Sequence, residues 1–438
     1  MAKRWIDGWD PENDGFWQRA GRRIARRNLV FSILAEHLGF SVWLMWSAVV
    51  VMLPRAGHAF TADQLFWLVA VPNLVGAALR IPYTAAVARF GGRNWTVIAG
   101  LLLIVPVVLL YYCVATPGTP YWMFLIAAAT AGFGGGNFAS SMANISYFYP
   151  EREKGWVLGV NAAGGNIGVA VVQIAVPVLI AIGLLVQDIA LVYLVPVVAA
   201  VACSWLFMDN LTVVRATVRQ QAGVLRDKHA WVMSVLYIGT FGSFIGYSAA
   251  FPLLIQSQFA GVRGQYLAFL GPLVGSLSRP FGGWMSDRVG GAKVTAASFV
   301  VLATGTGGVL LSLSLNSFGL FLASFLLLFV VSGVGNGSTY RMIPAIYRAI
   351  AAGKPDPGAL AHARIKAAAV IGLASSIGAF GGFLIPRGFG MSIVYTGSIT
   401  AALLLFFIGY AVFLAITWWF YLRRVLTAWS PSLAVSQV

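Results

Sequence analysis

Residues 71–92 read VPNLVGAALRIPYTAAVARFGG, and residues 270–291 read LGPLVGSLSRPFGGWMSDRVGG. Both stretches contain the pattern Arg-x8-Arg-x-Gly-Gly, and one shift of 199 residues carries position 80 onto position 279. The same shift places Gly134-x-Gly136-Asn137 on Gly333-x-Gly335-Asn336. Two independent matches at one shift indicate that the chain consists of two repeated halves.

Each stretch sets an arginine deep inside an apolar run, Arg80 in the first and Arg279 in the second. The residues that precede each arginine include no acid to pair with it. A permanently charged guanidinium in hydrocarbon is costly, so it persists only where it faces a partner, a cavity or a bound counter-ion. We therefore expect the two arginines to face each other across a central cavity and to hold an anion that is not part of the protein.

The composition is that of a membrane protein. Of the 438 residues, 59% are hydrophobic and only 10% are charged, which excludes a soluble globular domain of this size. Apolar windows of about 20 residues predict twelve membrane-spanning helices. The predicted spans are 30–53, 64–88, 94–115, 120–148, 155–183, 187–208, 230–258, 262–286, 293–314, 317–346, 364–386 and 392–422.

The net charge of +16 reports topology. Most Lys and Arg residues fall in the N-terminal segment, the even-numbered loops and the C-terminal tail. This positive-inside pattern predicts that both termini are cytoplasmic and argues against a nucleic-acid partner.

One long polar connector, 209–229, divides the spans six and six. Parallel six-helix repeats are the expected signature of the major facilitator fold, an all-α polytopic membrane protein with two six-helix bundles. The predicted parts are a cytoplasmic interfacial segment at 1–29, bundles at 30–208 and 230–425, a cytoplasmic linker at 209–229 and a cytoplasmic tail at 426–438.

Signals of catalysis are missing from the sequence. It contains no Walker-type phosphate loop, no His or Cys cluster with metal-ligand spacing, and no nucleophile paired with a base. We therefore expect a transporter that is not an enzyme and that has no cofactor and no metal.

The region from Gly132 to Gln173 is rich in glycine and asparagine. Glycines in membrane helices chiefly let the helices approach each other closely. The side chains of Asn137, Asn161 and Asn166 can each either bond a neighbouring helix or donate to an anion in a dry site.

The predicted first span contains an ionisable pair, Glu36 and His37. Ionisable residues at membrane depth are by default functional candidates, here for coupling to protons. The alternative is that the pair lies near the cytoplasmic end of the helix or bonds a neighbouring helix.

Long signatures in this chain resemble the nitrate/nitrite porters (NarK type) of the major facilitator superfamily. The resemblance covers essentially the whole chain. It rests on Asn137 to Gln173, Gly372 to Pro386, Tyr237 to Tyr247, Trp9-Asp-Pro-Glu and Phe16-Trp17. In addition, the run from Gly282 to Gly291 resembles the cytoplasmic loop motif of that superfamily, although the first half has Ala88 where the second has Asp287.

The resemblance implies which residues bind the anion. The arginines of the second and eighth helices correspond to Arg80 and Arg279, and the walls and neutral donors correspond to Phe138, Asn166, Tyr237 and Phe241. Planar guanidinium forks and aromatic faces suit small, flat anions such as nitrate and nitrite.

The resemblance also implies a secondary transporter that works by alternating access in a bacterial inner membrane. Its expected partners are nitrate, nitrite and the lipid bilayer. We expect a monomer. Members that exchange nitrate for nitrite are expected to have apolar residues at positions 36 and 37, so proton-coupled nitrate symport stays open beside antiport. The sequence also leaves open a carrier of formate or a short carboxylate, and an anion sensor that does not transport.

Overall fold

The computed structural model describes residues 4–213, 223–259, 261–262, 264–352, 358–423 and 433. The predicted linker at 209–229 is described only in part, and the predicted tail at 426–438 lies outside the described residues except for 433.

Twelve long helices, α1 to α12, follow one another in the described residues, and each overlaps one of the twelve predicted spans, with ends that differ by several residues. Their bounds are α1 Arg22–Val49, α2 Ala62–Phe90, α3 Gly92–Leu102 continued by Ile104–Ala115, α4 Tyr121–Phe148, α5 Glu151–Ala181, α6 Asp188–Phe207, α7 Lys228–Tyr237 continued by Ser243–Gln258, α8 Leu270–Val289, α9 Gly291–Ser314, α10 Phe318–Ala352, α11 Ala359–Ala379 continued by Gly381–Thr396, and α12 Thr400–Thr417. The predicted all-α fold is confirmed.

Ten of these helices are long and apolar enough to cross a membrane, within the part of the chain that is described. The two outside that set are α4 and α8, which contain the glycines, asparagines and arginine discussed above. Their lower hydropathy follows from small and polar residues, of which the glycines allow close packing of helices.

The chain forms two compact units, Met1–Ala216 with Ser248–Phe269, and Thr217–Tyr247 with Leu270–Val438. The end of α7 thus belongs to the first unit. The domain boundaries derived from the sequence stay a prediction.

Within each unit, the most extensive helix contact joins repeat-equivalent helices, α2 with α4 and α8 with α10. Small residues explain this closeness, because a Cβ on Gly135 would clash with Gly76 on α2, and one on Gly333 would clash with the carbonyl of Gly275 on α8.

The Gly-Gly pairs of the repeat also have a structural reason. Gly91 and Gly290 join α2 to α3 and α8 to α9 with φ of 86° and 95°, a region in which only glycine is unstrained. The glycines that follow, Gly92 and Gly291, leave no room for a Cβ beside Asn144 and Met342.

The N-terminal segment packs on the first unit. Trp5–Ile6 pairs in parallel with Asn210–Leu211. Trp9 and Trp17 are only 5% and 3% exposed and lie in a core with residues of α2, α4 and α5. The indole Nε1 of Trp17 donates to Glu153 Oε1 at 3.1 Å. These two tryptophans therefore pack against side chains of the first unit.

Candidate functional site

In the first unit, Arg80 lies in an aromatic pocket. It is fully buried on α2, and its Nε donates to the carbonyl of Gly135 on α4 at 3.1 Å. Its guanidinium carbon lies 4.7 Å from the ring centre of Phe138 and 5.4 Å from that of Trp43. Because α2 and α4 approach closely at their glycines, the guanidinium group of Arg80 reaches the backbone of α4. The two aromatic rings attract its positive charge by cation–π interaction.

In the second unit, Arg279 on α8 contacts a chain of neutral polar groups. Arg279 is 5% exposed, and its Nη2 donates to the hydroxyl of Tyr237 at 3.5 Å. That hydroxyl donates to Asn336 Oδ1 on α10 at 2.7 Å. The guanidinium carbon also lies 5.4 Å from the ring centre of Tyr340.

The backbone of α7 positions Tyr237. A π-helical turn, Ile238–Gly242, follows it directly, and the ring of Phe241 stacks on that of Tyr237 at 5.3 Å. Gly378 on α11 lies against the Tyr237 ring, where a Cβ would clash. Gly242 likewise meets the backbone of Gly381. Gly242 and Gly378, which lie in two of the family-like stretches of the sequence, thus let α11 pack closely against the aromatic residues of α7.

Several buried asparagines have unused bonding capacity. Among the described residues, neither amide atom of Asn166, which is 1% exposed on α5, has a hydrogen-bond partner. Asn137 and Asn336, which occupy equivalent positions in the two halves, each have one such atom. Asn137 Oδ1 and Asn336 Nδ2 have no hydrogen-bond partner among the described residues. Buried polar atoms are nearly always satisfied, so such groups in a membrane protein point to a ligand or to water.

The side chain of Asn161 is bonded to protein. Its Nδ2 donates to Glu36 Oε2 at 2.8 Å and to Ser141 Oγ at 2.7 Å. The Ser141 hydroxyl donates to the same carboxylate oxygen at 2.6 Å, and Glu36 is 1% exposed. His37 points elsewhere, with Nδ1 3.1 Å from the carbonyl of Gly164 on α5.

Seven of the ten predicted site residues therefore fall into three groups by their contacts. Arg80 lies with Phe138, Arg279 lies with Tyr237 and Phe241, and Asn161 lies with Glu36.

Sequence reasoning missed Trp43, Asn336 and Tyr340 as neighbours of the arginines. Asn336 could have been found, because the repeat places it on Asn137. Tyr340 lies one helical turn after Asn336, the spacing that puts two side chains on one face.

In the described parts of the chain, no three His, Cys, Asp or Glu side chains come close enough to hold a metal ion. The chemistry that the arrangement supports is anion binding: fixed positive charge, neutral donors, and flat aromatic walls.

Comparison with known proteins agrees with this architecture. Residues 38–386 match the model of the Major Facilitator Superfamily. The chain is 42% identical to the nitrate/nitrite transporter NarU of Salmonella typhimurium over 96% of each chain. It is 36% identical to the probable nitrate/nitrite antiporter NarK2 of Thermus thermophilus, over 96% of this chain and 97% of that one. The crystal structure of a D-xylose-proton symporter shares the fold, with a TM-score of 0.68 at 14% identity over 90% of this chain and 97% of that one.

Proposed function

Because this chain belongs to the nitrate/nitrite porter family of the major facilitator superfamily, we propose that it transports nitrate and nitrite across a bacterial cytoplasmic membrane. The protein is a multi-pass membrane protein. We further propose that it acts as a monomer. The distribution of Lys and Arg favours a topology with both termini in the cytoplasm.

The observation that carries the proposal is the hydrogen-bonded chain from Arg279 through Tyr237 to Asn336. A planar anion that bonds the guanidinium in its plane can accept from the hydroxyl and the amide beside it. Arg80, with Phe138 and Trp43 against its guanidinium, provides a second fixed charge with aromatic walls. Asn166 supplies a further neutral donor.

The charge of these groups favours exchange over net transport. Arginine does not lose its proton at any physiological pH, so an empty carrier would have to close over permanently charged groups. Desolvating such charges without an anion is unfavourable. A carrier that must stay loaded to change conformation exchanges one anion for another, here nitrate for nitrite.

The relatives disfavour the other candidates that the sequence left open. NarU and NarK2 are named for nitrate and nitrite transport. A formate carrier would therefore require that this chain had changed its substrate, and an anion sensor that it had lost transport.

Transport by the purified full-length protein in liposomes tests the proposal. Liposomes preloaded with nitrite should accumulate labelled nitrate, and excess external nitrite should suppress the uptake more than formate at the same concentration. If formate suppressed it more strongly, or if preloaded liposomes took up no nitrate, the proposed substrate would be wrong.

A further inference from the structure

The side chain of Asn336 has a buried amide nitrogen directed away from its protein contact. Asn336 is 1% exposed on α10, and its Oδ1 accepts a hydrogen bond from the hydroxyl of Tyr237 at 2.7 Å. In the described part of the chain, Nδ2 has no hydrogen-bond partner. An amide nitrogen has two N–H groups to donate, and a buried polar atom without a partner is rare. Asn336 Nδ2 is therefore a donor available to a ligand that accepts hydrogen bonds.

The orientation of this amide follows from the residues beside it. Arginine only donates hydrogen bonds, so the Tyr237 hydroxyl accepts from Arg279 Nη2 at 3.5 Å and directs its own proton to Asn336. An asparagine that receives this proton presents its oxygen to Tyr237. Its nitrogen consequently lies on the side of the amide that faces away from the hydroxyl.

Close packing of α10 on α8 brings Asn336 to Arg279. Gly337, the next residue on α10, lies against the backbone of Arg279, because a Cβ there would clash with the Arg279 carbonyl. Gly333, one turn earlier, lies in the same way against the carbonyl of Gly275. A side chain at either position would push the two helices apart. The donor on α10 and the charge on α8 are thus held beside each other, with the Tyr237 hydroxyl joining them.

The first half of the chain does not repeat this arrangement. The shift of 199 residues that carries Asn137 onto Asn336 carries Leu38 onto Tyr237. Leucine has no hydroxyl to orient an amide. In addition, the atom of Asn137 that has no hydrogen-bond partner among the described residues is its oxygen, Oδ1, and not its nitrogen. The oriented amide donor is therefore a feature of the second half.

Nitrate and nitrite differ in the number of oxygen atoms that need a donor. Both anions are flat, and each can present two oxygens to a guanidinium fork such as that of Arg279. Nitrate has a third oxygen, which loses its water on entering a buried site and needs another hydrogen-bond donor there. Nitrite has no third oxygen. A buried donor that serves this atom is left unpaired by nitrite, and a site of that kind discriminates against the ligand that lacks the group.

We propose that Asn336 makes the site select nitrate over nitrite, by donating from Nδ2 to the nitrate oxygen that Arg279 does not bind. This inference rests on the proposed transport function and adds a specificity-determining residue to it. Tyr237 acts here by positioning, because its hydroxyl holds the amide oxygen and leaves the nitrogen available. With nitrite in the site, Nδ2 stays buried without an acceptor, and this cost is the source of the selectivity.

The ratio of two dissociation constants tests the inference. Nitrate and nitrite are titrated separately by calorimetry into the full-length protein in detergent, for the wild type and for Asn336→Leu. Leucine branches at Cγ as asparagine does, has no polar atom, and keeps water out of the place of the amide. Asn336→Leu should raise the Kd of nitrate by about fivefold or more relative to that of nitrite. A general loss of packing would affect both constants and leave their ratio unchanged.

Two further variants complete the test. Asn336→Ala adds no bulk, should shift the ratio in the same direction, and decides the matter if Asn336→Leu fails to fold. Ser338→Ala is the matched control, because Ser338 is also buried on α10 and its hydroxyl donates to the carbonyl of Gly291 at 2.8 Å. This variant should lower the Tm and keep the wild-type ratio.

Several results would overturn the inference while leaving the proposed function standing. They are unchanged Kd values in the Asn336 variants, an equal change for both anions, a ratio shifted toward nitrate, or a shift in Ser338→Ala as large as that in the Asn336 variants. A wild-type protein that binds neither anion would refute the proposed function itself.

Discussion

Replacing Tyr237 by phenylalanine removes one hydroxyl from the centre of the polar chain on Arg279. The hydroxyl donates to Asn336 Oδ1 at 2.7 Å and accepts from Arg279 Nη2 at 3.5 Å. All three side chains are at most 5% exposed, so water does not replace the lost bonds. If the hydroxyl also bonds the anion, as proposed, Tyr237→Phe removes a hydrogen bond to a charged group.

The expected loss of nitrate affinity is about 1–3 kcal/mol, or roughly 5- to 150-fold in Kd. Folding stability should fall as well, by about 1–3 kcal/mol, because Asn336 Oδ1 is left buried without its donor. Nitrate titration by calorimetry on protein in detergent measures the first quantity, and thermal unfolding in the same detergent follows the second.

Tyr247→Phe is the matched control. Tyr247 lies on the same helix, is also fully buried, and its hydroxyl is 2.7 Å from that of Tyr410. This variant should lose stability to a similar extent and retain the wild-type Kd. A wild-type Kd for Tyr237→Phe, or an equal loss of affinity in both variants, would refute the reasoning.

Three further predictions concern other parts of the chain. Asn166→Ala should weaken nitrate binding by about 1–3 kcal/mol in calorimetry, and an unchanged Kd would restrict Asn166 to packing. Trp17→Ala should lower the free energy of unfolding by about 3–5 kcal/mol because a buried indole is lost, whereas Trp122→Ala, 59% exposed, should have little effect in the same thermal unfolding assay. Burial raises the pKa of Asp227, but the hydrogen bond and charge of Lys366, 2.5 Å away, together with hydrogen bonds from Tyr347 and the His229 backbone, outweigh burial and leave the pKa lowered. The Asp227–Lys366 pair should therefore stabilise the protein above about pH 4 and lose this effect as the pH falls through the lowered pKa, so that Asp227→Asn has a lower Tm than the wild type at neutral pH and an equal one in acid.

The repeat and the twelve helices could be predicted because their signals are local or periodic. Apolar runs locate membrane helices, and a fixed shift of motifs identifies a duplicated bundle. The interruptions within helices were not predicted. Pro106 lacks the N–H that would bond the carbonyl of Leu102, so α3 is interrupted at Leu103. Gly381, which follows the interruption of α11 at Phe380, meets the backbone of Gly242.

The contacts that individual polar residues make within the protein could not be read from their residue type alone. Residue type alone does not distinguish Asn161 from Asn166, which lie five residues apart on one helix. In the structure Asn161 donates to Glu36, whereas neither amide atom of Asn166 has a hydrogen-bond partner among the described residues. Which face of α5 meets α1 depends on packing that neither residue reveals by itself. The roles of both asparagines in binding stay predictions.

Tertiary packing also determines where the N-terminal aromatic residues lie. A segment with many arginines and tryptophans is typical of a membrane interface, which is what the sequence predicts for 1–29. The partners of Trp9 and Trp17 include Phe148 and Tyr149, more than 130 positions later in the chain. Contacts of such separation leave no periodic trace in a single sequence.

We propose that Arg80 and Arg279 bind the transported anion through their planar guanidinium groups. It is tested most directly by nitrate binding to the purified wild type, Arg80→Lys and Arg279→Lys, with the exposed Arg55→Lys as control. Lysine retains the charge and loses the fork. We expect both variants to remain folded but to bind nitrate at least about tenfold more weakly, with Arg55→Lys unchanged. Wild-type affinity in either Arg80→Lys or Arg279→Lys would contradict it.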